Sequence, residues 1–381
     1  MTYLTIGDSY SGVYLSQVID VCKHLSHLAG RPIPLIAFIS PRIFFEQRRK
    51  IKAAYKEAWV LPAWPGSKHW RRNYALLWLL MIWLKPEKIM ARGILATQMA
   101  LKLRKQGRVK KVIFDGRGAY HAEWNEYEVI PDEQLVQAAW ELERQSVLEA
   151  DFRLAVSKSL VEYWRENFDY PAQKAYVVVP CTLGKGFQQE FPVEERLNSL
   201  RQQYGFQPND LVLVYAGSVA GWQSFAKVDV LLLGMLDANP SVKVLFLSRI
   251  DLDALAIYRQ FPDRVTKDWV SPQQVFEIMC AGDYGLLIRE PTVTNQVAAP
   301  TKYAEYLACG LKILISPQVG DYSTFTHMYH AGYVLEEPVD KINWDSLSRP
   351  NYTEKLNQVA LAREYFRKES FSSAWKQILN Y

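Results

Sequence analysis

The segment APTKYAEYLACGLKILIS, residues 299–316, contains a helix start, a helix end and a buried strand in direct succession. Pro300 suits the start of a helix and Gly310 suits its end. The apolar run 312–316 is typical of a strand that is buried on both faces. A helix that leads directly into such a strand is the repeating unit of a parallel sheet, so this segment predicts an α/β fold.

Short apolar strands that alternate with helical patterns recur on both sides of this segment. The predicted strands are residues 3–6, 34–40, 111–116, 152–157 and 176–180 in the first half, and 211–217, 242–248, 284–288 and 312–316 in the second half. A polar helical stretch, 187–210, separates the two sets. The sequence therefore predicts two doubly wound α/β domains in tandem, whose ligands bind at the carboxyl ends of the strands.

The composition of the 381-residue chain restricts its partners and its compartment. Lys and Arg number 45 and Asp and Glu number 40, which gives a net charge of +5. This small excess suits an anionic substrate or a membrane surface and is too small for a nucleic-acid-binding protein. The four cysteines are scattered, which indicates reduced thiols, and residues 1–10 lack a signal-peptide pattern. We therefore expect a cytoplasmic protein.

One apolar segment, residues 69–88 (HWRRNYALLWLLMIWLKPEK), has two interpretations. Its uninterrupted apolar run, 74–84, is shorter than the roughly 20 residues that span a bilayer. A helix that is apolar on all sides is normally buried, and this is the interpretation we favour. The flanking arginines, lysine and tryptophans also suit an interfacial helix that contacts a membrane peripherally.

Charged residues crowd the end of one predicted strand, in the segment FDGRGAYHAEW, residues 114–124. Asp115, Arg117, His121 and Glu123 all follow or end the strand that begins at 111. We favour a functional site there over a simple Asp115–Arg117 ion pair.

Two other loops are less informative. GDSYSG (7–12) lacks the patterns of dinucleotide-binding and P-loop proteins, and YAGS (215–218) is either a phosphate-binding loop or a tight turn.

In SRIDLDAL (248–255), Asp251 and Asp253 have the spacing of a metal-binding pair. Because Asp251 precedes a helical pattern, we favour a helix cap over a metal site.

Lys302 and Glu305 are the two charged residues of the helix in the first segment. Thr301 and Lys302 lie in the first turn, where free N–H groups attract phosphate, and Glu305 lies one turn further on. A carboxylate at that position can accept two hydroxyl groups of a ribose. A surface ion pair between the two residues is the alternative, and their spacing does not decide between them.

The same segment resembles the nucleotide-sugar-binding signature of retaining glycosyltransferases of family four, which have the GT-B fold. That signature reads P-x-K-x-x-E-Y-L-A-x-G followed by an apolar strand. Similar stretches occur in the order typical of that family at 7–21, 90–93, 114–118, 154–160 and 215–218. The resemblance implies two Rossmann-like domains that face a central cleft. Residues 1–190 would bind the acceptor, 191–360 would bind the nucleotide sugar, and 361–381 would form a helix that returns to the first domain.

The resemblance also implies roles for individual residues. Asp115 and His121 would be catalytic, and no metal or other cofactor would be required. The acceptor would lie against Arg92, Arg117 and Glu123. The donor-binding residues would be Gly12, Gly217, Ser218, Arg289, Thr301, Lys302 and Glu305.

Two departures from the family pattern concern the donor site. Many members have a second glutamate at the position that is Val297 here, so the sugar-recognising half of the signature is altered. Many also have an Arg and a Lys after the Gly-Ser loop, whereas this chain has no basic residue there before Lys227. Lys302 and Arg289 would then supply the missing positive charge.

The function implied is retaining transfer of a sugar to a glycan or lipid-linked glycan in surface polysaccharide assembly, at the inner face of the cytoplasmic membrane. Two alternatives remain open. A sugar-nucleotide epimerase has the same architecture and needs no separate acceptor, and a non-catalytic homologue would bind a glycan or nucleotide without turnover.

Overall fold

The computed structural model of the chain describes residues 1–217, 225–271, 274–336 and 347–381. It divides into two compact units. Unit 1 comprises Met1–Gly184 together with Lys368–Tyr381, and unit 2 comprises Lys185–Arg367. Each unit has its own parallel sheet with helices connecting the strands. The predicted α/β class with two doubly wound sheets is confirmed.

The sheet of unit 1 has seven parallel strands among the described residues. They are β1 (Thr2–Ile6), β2 (Leu35–Ile39), β3 (Ala58–Pro62), β4 (Lys88–Arg92), β5 (Lys111–Gly116), β6 (Phe152–Ala155) and β7 (Tyr176–Val178). Their spatial order is β3-β2-β1-β4-β5-β6-β7, so the winding direction reverses between β1 and β4. Such a switch point opens a crevice at the carboxyl ends of the strands, where ligands of doubly wound sheets bind.

Helices connect these strands. A helical run begins as α1 (Gly12–Tyr14), continues as a π-helical turn (Leu15–Ile19) and ends as α2 (Asp20–Ala29). The others are α3 (Phe44–Ala54), α4 (Asn73–Leu84), α5 (Gly93–Lys105), α6 (Tyr120–Glu126), α7 (Glu133–Glu149) and α8 (Lys158–Phe168), with 3₁₀ turns at Pro41–Ile43 and Ser67–Arg72. Ser157 caps α8, because its side chain accepts the N–H of Leu160 at 2.9 Å.

The sheet of unit 2 has six parallel strands within the described ranges. They are β8 (Leu211–Ala216), β9 (Val242–Leu247), β10 (Val265–Asp268), β11 (Tyr284–Leu287), β12 (Lys312–Ile315) and β13 (Gly332–Val334). Their order is β10-β9-β8-β11-β12-β13, which places the switch point between β8 and β11. In the same described ranges, the helices of this unit are α9 (Glu194–Gln203), α10 (Phe225–Ala238), α11 (Ala256–Gln260), α12 (Val275–Met279), α13 (Val293–Gln296), α14 (Thr301–Ala308), α15 (Tyr322–Met328) and α16 (Tyr352–Tyr365).

A buried ion cluster anchors two of these helices at the amino end of β11. Asp283 is fully buried, and its Oδ2 lies 2.9 Å from the guanidinium of Arg201 on α9. Lys355 on α16 approaches the other carboxylate oxygen at 3.5 Å, and the backbone N–H of Val212 also donates to Asp283. Because each buried charge has a partner, the cluster fixes α9 and α16 to the sheet.

The C-terminal segment belongs to unit 1. It includes a 3₁₀ turn at Glu369–Phe371 and α17 (Ser372–Asn380), whose Trp375 is buried in the core of that unit. Lys368 is also buried, and its Nζ donates to the carbonyl of Leu183 at 2.9 Å. Burial lowers the pKa of Lys368 to about 8.

The apolar segment 69–88 is not buried on all sides, so the interpretation we favoured for it is wrong. The residues of α4 that are buried are Asn73, Leu77 and Met81, which recur every fourth position on one face. Four large apolar side chains elsewhere on the helix are exposed, namely Leu76, Leu79, Ile82 and Trp83. No helix in the described part of the chain is long and apolar enough to cross a membrane.

Candidate functional site

The switch point of unit 2 is bridged by one side chain of α14. The pairing of β8 with β11 extends to Val214 and Gly285. Beyond that pair, the hydroxyl of Tyr306 accepts the N–H of Ala216 at 3.0 Å and donates to the carbonyl of Leu286 at 3.3 Å. Tyr306 therefore links the carboxyl ends of the two strands and holds α14 against them.

Close packing fixes the position of α14 from two sides. A Cβ added at Gly285 would lie 2.3 Å from the ring of Tyr306, so only glycine fits beneath the helix. On another face of α14, Tyr303 stacks on Tyr322 with 4.3 Å between ring centroids, and its hydroxyl bonds that of Thr326 at 2.8 Å. The helix start is therefore a rigid platform at the edge where ligands of such sheets bind.

Lys302 and Glu305 lie on this platform, close to the helix start. Pro300 precedes Thr301, and within the described residues no side chain caps the first turn. The Lys302 Nζ lies 2.5 Å from Glu305 Oε2, and the two side chains remain 24% and 12% exposed. The ion pair therefore forms at a helix N-terminus whose N–H groups favour anions.

The other predicted donor residues follow β8 and β11. Gly217 comes directly after β8 with φ of +138°, a conformation that side chains disfavour. Ser218 lies outside the described residues. Arg289 follows β11, is 5% exposed, and donates its backbone N–H to the hydroxyl of Ser316 at 2.9 Å. Gly217 and Arg289 thus flank the switch point, but the Arg289 side chain is largely buried.

A second cation reaches this edge from α10. Lys227 Nζ lies 2.6 Å from Glu290 Oε2, immediately after Arg289 in the chain. Burial raises the pKa of Tyr215 to about 12, and the nearby Arg289 guanidinium opposes that rise. Positive charge therefore reaches the carboxyl edge from Lys227 and Arg289, as well as from Lys302.

Val297, which replaces the second glutamate of the family pattern, is 4% exposed and directly follows α13. A neighbouring turn locks this loop, because Gly320 donates its N–H to the carbonyl of Asn295 at 3.0 Å. A Cβ at Gly320 would lie 1.9 Å from the carbonyl oxygen of Ala298. The loop before α14 is thus fixed by backbone contacts.

In unit 1, the predicted catalytic Asp115 is the centre of a buried cluster. It lies at the carboxyl end of β5 and is 1% exposed. The hydroxyl of Tyr3 donates to its Oδ2, the Arg117 guanidinium lies 3.3 Å from its Oδ1, and that of Arg92 lies 3.6 Å from its Oδ2. Asp115 therefore holds two arginines in place, and this arrangement favours a positioning role over direct contact with a substrate.

The two arginines extend from Asp115 towards different neighbours. Arg92 ends β4, and its Nε lies 3.7 Å from the carboxylate of Asp8, which follows β1 across the switch point. Arg117 donates to Gln17 Oε1 at 3.1 Å, and the same amide oxygen accepts the N–H of Thr182 at 3.2 Å. Gln17 belongs to the π-helical turn, a feature that often marks functional sites.

The predicted residues of α6 sit beside this cluster. His121 is half-buried, and burial lowers its pKa, so the imidazole is neutral near pH 7. Burial raises the pKa of Glu123, and the positive charge of Arg92 opposes that rise. The backbone N–H of His121 donates to Glu143 Oε2 at 2.8 Å, and burial raises the pKa of Glu143 to about 8. Glu143 thus anchors the start of α6 as an uncharged acid at neutral pH.

Two further predictions concern Gly12 and the Asp-x-Asp pair. Gly12 is exposed at the start of α1, where Ser11 caps the helix by accepting the N–H of Tyr14. Asp251 does not cap a helix, so that prediction is wrong. It accepts the N–H of Asp253 at 3.3 Å, and Asp229 of α10 accepts the first N–H groups of α11 instead. Among the described side chains, no three His, Cys, Asp or Glu residues are grouped to hold a metal ion.

The structure brings the predicted residues together in two groups, one in each unit. The first contains Arg92, Asp115, Arg117, His121 and Glu123, and the second contains Gly217, Arg289, Thr301, Lys302 and Glu305. Sequence reasoning missed Tyr3, Asp8, Gln17, Glu143, Lys227 and Tyr306. Asp8 follows the first strand, Lys227 follows the Gly-Ser loop and Tyr306 lies in the segment 299–316, so their positions gave a signal. Tyr3, Gln17 and Glu143 are revealed only by contacts between distant segments.

Comparisons with known proteins identify structures with a similar fold. No protein-family model matches the chain, and no curated protein matches it by sequence. Anabaena HepE, solved in complex with UDP, has a TM-score of 0.69 at 14% identity, over 100% of this chain and 99% of that one. A glycosyltransferase from Rickettsia africae has a TM-score of 0.70 at 13% identity, over 99% and 98%.

An epimerase is also similar in structure. The putative UDP-N-acetylglucosamine 2-epimerase from Listeria monocytogenes has a TM-score of 0.60 at 10% identity, over 100% of this chain and 94% of that one. At these identities the similarity shows the fold alone. That fold is GT-B, with two Rossmann-like doubly wound units.

Proposed function

We propose that the protein is a retaining glycosyltransferase that moves a sugar from a nucleotide-sugar donor to a hydroxyl of a glycan or lipid-linked glycan. Such a reaction would contribute to surface polysaccharide assembly. The observation that carries this proposal is the start of α14, where Tyr306 holds Lys302 and Glu305 at the switch point of unit 2. HepE, which has the same fold, was solved with UDP, and this supports a nucleotide-sugar donor.

In the proposed donor complex, the ion pair between Lys302 and Glu305 opens, and each side chain contacts the ligand instead. Lys302 and the N–H groups of the first turn of α14 contact the diphosphate, because both favour negative charge. Glu305 accepts hydroxyl groups of the ribose. As the bond from the sugar to the phosphate breaks, the same groups stabilise the departing diphosphate, so the reaction needs no metal.

The proposed acceptor site is the carboxyl edge of unit 1. Arg92, His121 and Glu123 are partly exposed there, whereas the buried Asp115 positions Arg92 and Arg117. The acceptor hydroxyl attacks the anomeric carbon from the face that the phosphate leaves, and its proton passes to the departing phosphate oxygen. The neutral His121 orients the acceptor in this scheme.

Two variants and a matched control test this proposal. Lys302→Ala and Glu305→Ala are compared with Glu277→Ala, which removes a different ion pair of unit 2, 2.6 Å from Arg196. The purified proteins are incubated with a panel of nucleotide sugars and glycan acceptors. Mass spectrometry detects the glycosylated acceptor, and NMR identifies the sugar and its anomeric configuration, because epimers and anomers have the same mass. We expect a glycosylated acceptor with retained configuration, lost in the first two variants and kept in the control, both with and without EDTA.

The same assay separates the alternatives. An isomerised nucleotide sugar in the absence of acceptor would identify an epimerase, which the similarity to the Listeria protein makes the second candidate. Binding of a nucleotide sugar without any turnover would identify a non-catalytic protein, an alternative that the buried Val297 keeps relevant.

A further inference from the structure

Helix α4 presents an apolar surface that the fold of unit 1 leaves uncovered. Its twelve residues include no charged side chain. Leu76, Leu79, Ile82 and Trp83 are exposed by 42%, 58%, 41% and 72%, and we name these four residues the α4 face. Three of them, at positions 76, 79 and 83, recur at spacings of three and four, so they form one stripe along the helix.

The α4 face is part of the folded unit, because several contacts fix the helix. The backbone N–H of Trp64 donates to the side chain of Asn73 at 2.6 Å. The hydroxyl of Tyr74 donates to Gln106 at 2.5 Å. Trp83 packs edge-on against Trp59 of β3, with 5.0 Å between ring centroids. The apolar stripe is therefore presented on a fixed element.

Three arginines paired with tryptophans flank α4, and we name them the rim of the α4 face. The guanidinium groups lie over the indole rings at 4.8 Å for Arg71 and Trp70, 5.2 Å for Arg72 and Trp64, and 4.6 Å for Arg108 and Trp78. All three arginines are exposed, as is Lys85 at the C-terminal end of the helix. The acidic residue of segment 69–88, Glu87, is paired with Lys110 at 2.7 Å. The rim is therefore strongly cationic.

We propose that the α4 face is a docking surface for a bilayer that contains anionic phospholipids. Aromatic side chains and arginines suit the zone where acyl chains meet headgroups. A helix of this length extends about 18 Å, less than the roughly 30 Å hydrocarbon core, so it lies in the plane of the interface. The cationic rim then contacts the headgroup phosphates.

Charge favours a bilayer over a second copy of the chain. In a two-fold dimer the same patch meets itself, so the arginine rims of two copies would face each other and repel. An anionic membrane complements both the apolar stripe and its rim. This inference is independent of the proposed transfer reaction, since it rests on α4 alone.

Cosedimentation with vesicles tests the docking surface. The vesicles contain phosphatidylcholine alone, or two parts phosphatidylcholine to one part phosphatidylglycerol. We expect the full chain to bind the anionic vesicles and to be released by high salt. Leu79→Gln/Trp83→Gln should weaken the partition coefficient by about tenfold or more, because it removes the two most exposed apolar groups of the face. Arg71→Gln/Arg72→Gln should weaken it by about tenfold on anionic vesicles.

The matched control is Val230→Gln/Met328→Gln, which removes two exposed apolar side chains of unit 2 that are 59% and 63% exposed. It should bind vesicles as the unaltered chain does, and circular dichroism should show that all variants are folded. Three results would overturn the proposal. These are absence of binding to any vesicle, equal binding by the Leu79/Trp83 variant, and self-association in solution that this variant abolishes.

Discussion

Replacement of Glu143 by Gln should make the protein more stable relative to the unaltered chain as the pH rises. Glu143 is fully buried, and burial raises its pKa from the usual 4.5 to about 8. The folded state therefore prefers the protonated acid. The stability that the protonated Glu143 contributes is fully present below about pH 4.5 and is lost as the pH rises through about 8.

The magnitude follows from the difference between these two pKa values. From 4.5 to about 8, at about 1.4 kcal/mol for each pKa unit, the unaltered chain should lose up to about 5 kcal/mol of unfolding free energy. Most of that loss, about 3.5 kcal/mol, falls between pH 5 and pH 8. Gln does not titrate, and its carbonyl can still accept the backbone N–H of His121, so the variant should lack this loss.

The assay is urea denaturation of both proteins at a series of pH values, with unfolding monitored by circular dichroism. The control is Glu141→Gln on the same helix, where the glutamate is 48% exposed and pairs with Arg144. A free-energy difference between Glu143→Gln and the unaltered chain that stays constant from pH 5 to pH 8.5 would refute the reasoning. The reasoning would also be refuted if the unfolding free energy of Glu141→Gln changed with pH as that of Glu143→Gln does.

Three further substitutions test the packing of unit 2 by chemical denaturation. Tyr306→Phe should cost about 1–3 kcal/mol, because it leaves the N–H of one strand and the carbonyl of another without their partner at the switch point, and an unchanged midpoint would contradict the bridge. Asp283→Ala should cost about 3–5 kcal/mol, because it leaves Arg201 buried without its counter-ion, and a neutral effect would show that the cluster is not anchoring α9. Gly320→Ala should cost more than about 1 kcal/mol, because its Cβ would meet the carbonyl of Ala298 at a residue with φ of +50°, and a stabilised variant would contradict this.

The sequence predicted most strands and the two-sheet architecture, because apolar runs that alternate with helical patterns are a local signal. The inner strand β4 was missed, and so were the edge strands β3, β10 and β13. Two of them, Val265–Asp268 and Gly332–Val334, are short and only partly apolar, since an edge strand needs less burial. The exposure of α4 was also missed, because composition does not reveal which neighbours cover a helix.

The candidate site was predicted only in part. Ionisable residues next to predicted strand ends, such as Asp115 and Arg117, could be identified because the chain order places them at the carboxyl edge. The environment of these residues could not be predicted, since the contact from Tyr3 to Asp115 joins residues that are far apart in the chain. Glu143 carries no local signal, and the bridging role of Tyr306 could not be predicted, because each acts through a neighbour that only the folded sheet brings close.

The most direct test of the proposed donor site is calorimetric titration of the unaltered chain and of Glu305→Ala with UDP, GDP and ADP. We expect that one diphosphate binds the unaltered chain and that Glu305→Ala weakens this binding by about tenfold or more, since a charged acceptor of ribose hydroxyls is lost. The Glu277→Ala control should bind as the unaltered chain does. Equal affinity in Glu305→Ala, or no binding of any of the three nucleotides, would contradict the assignment of α14 as the nucleotide-binding element.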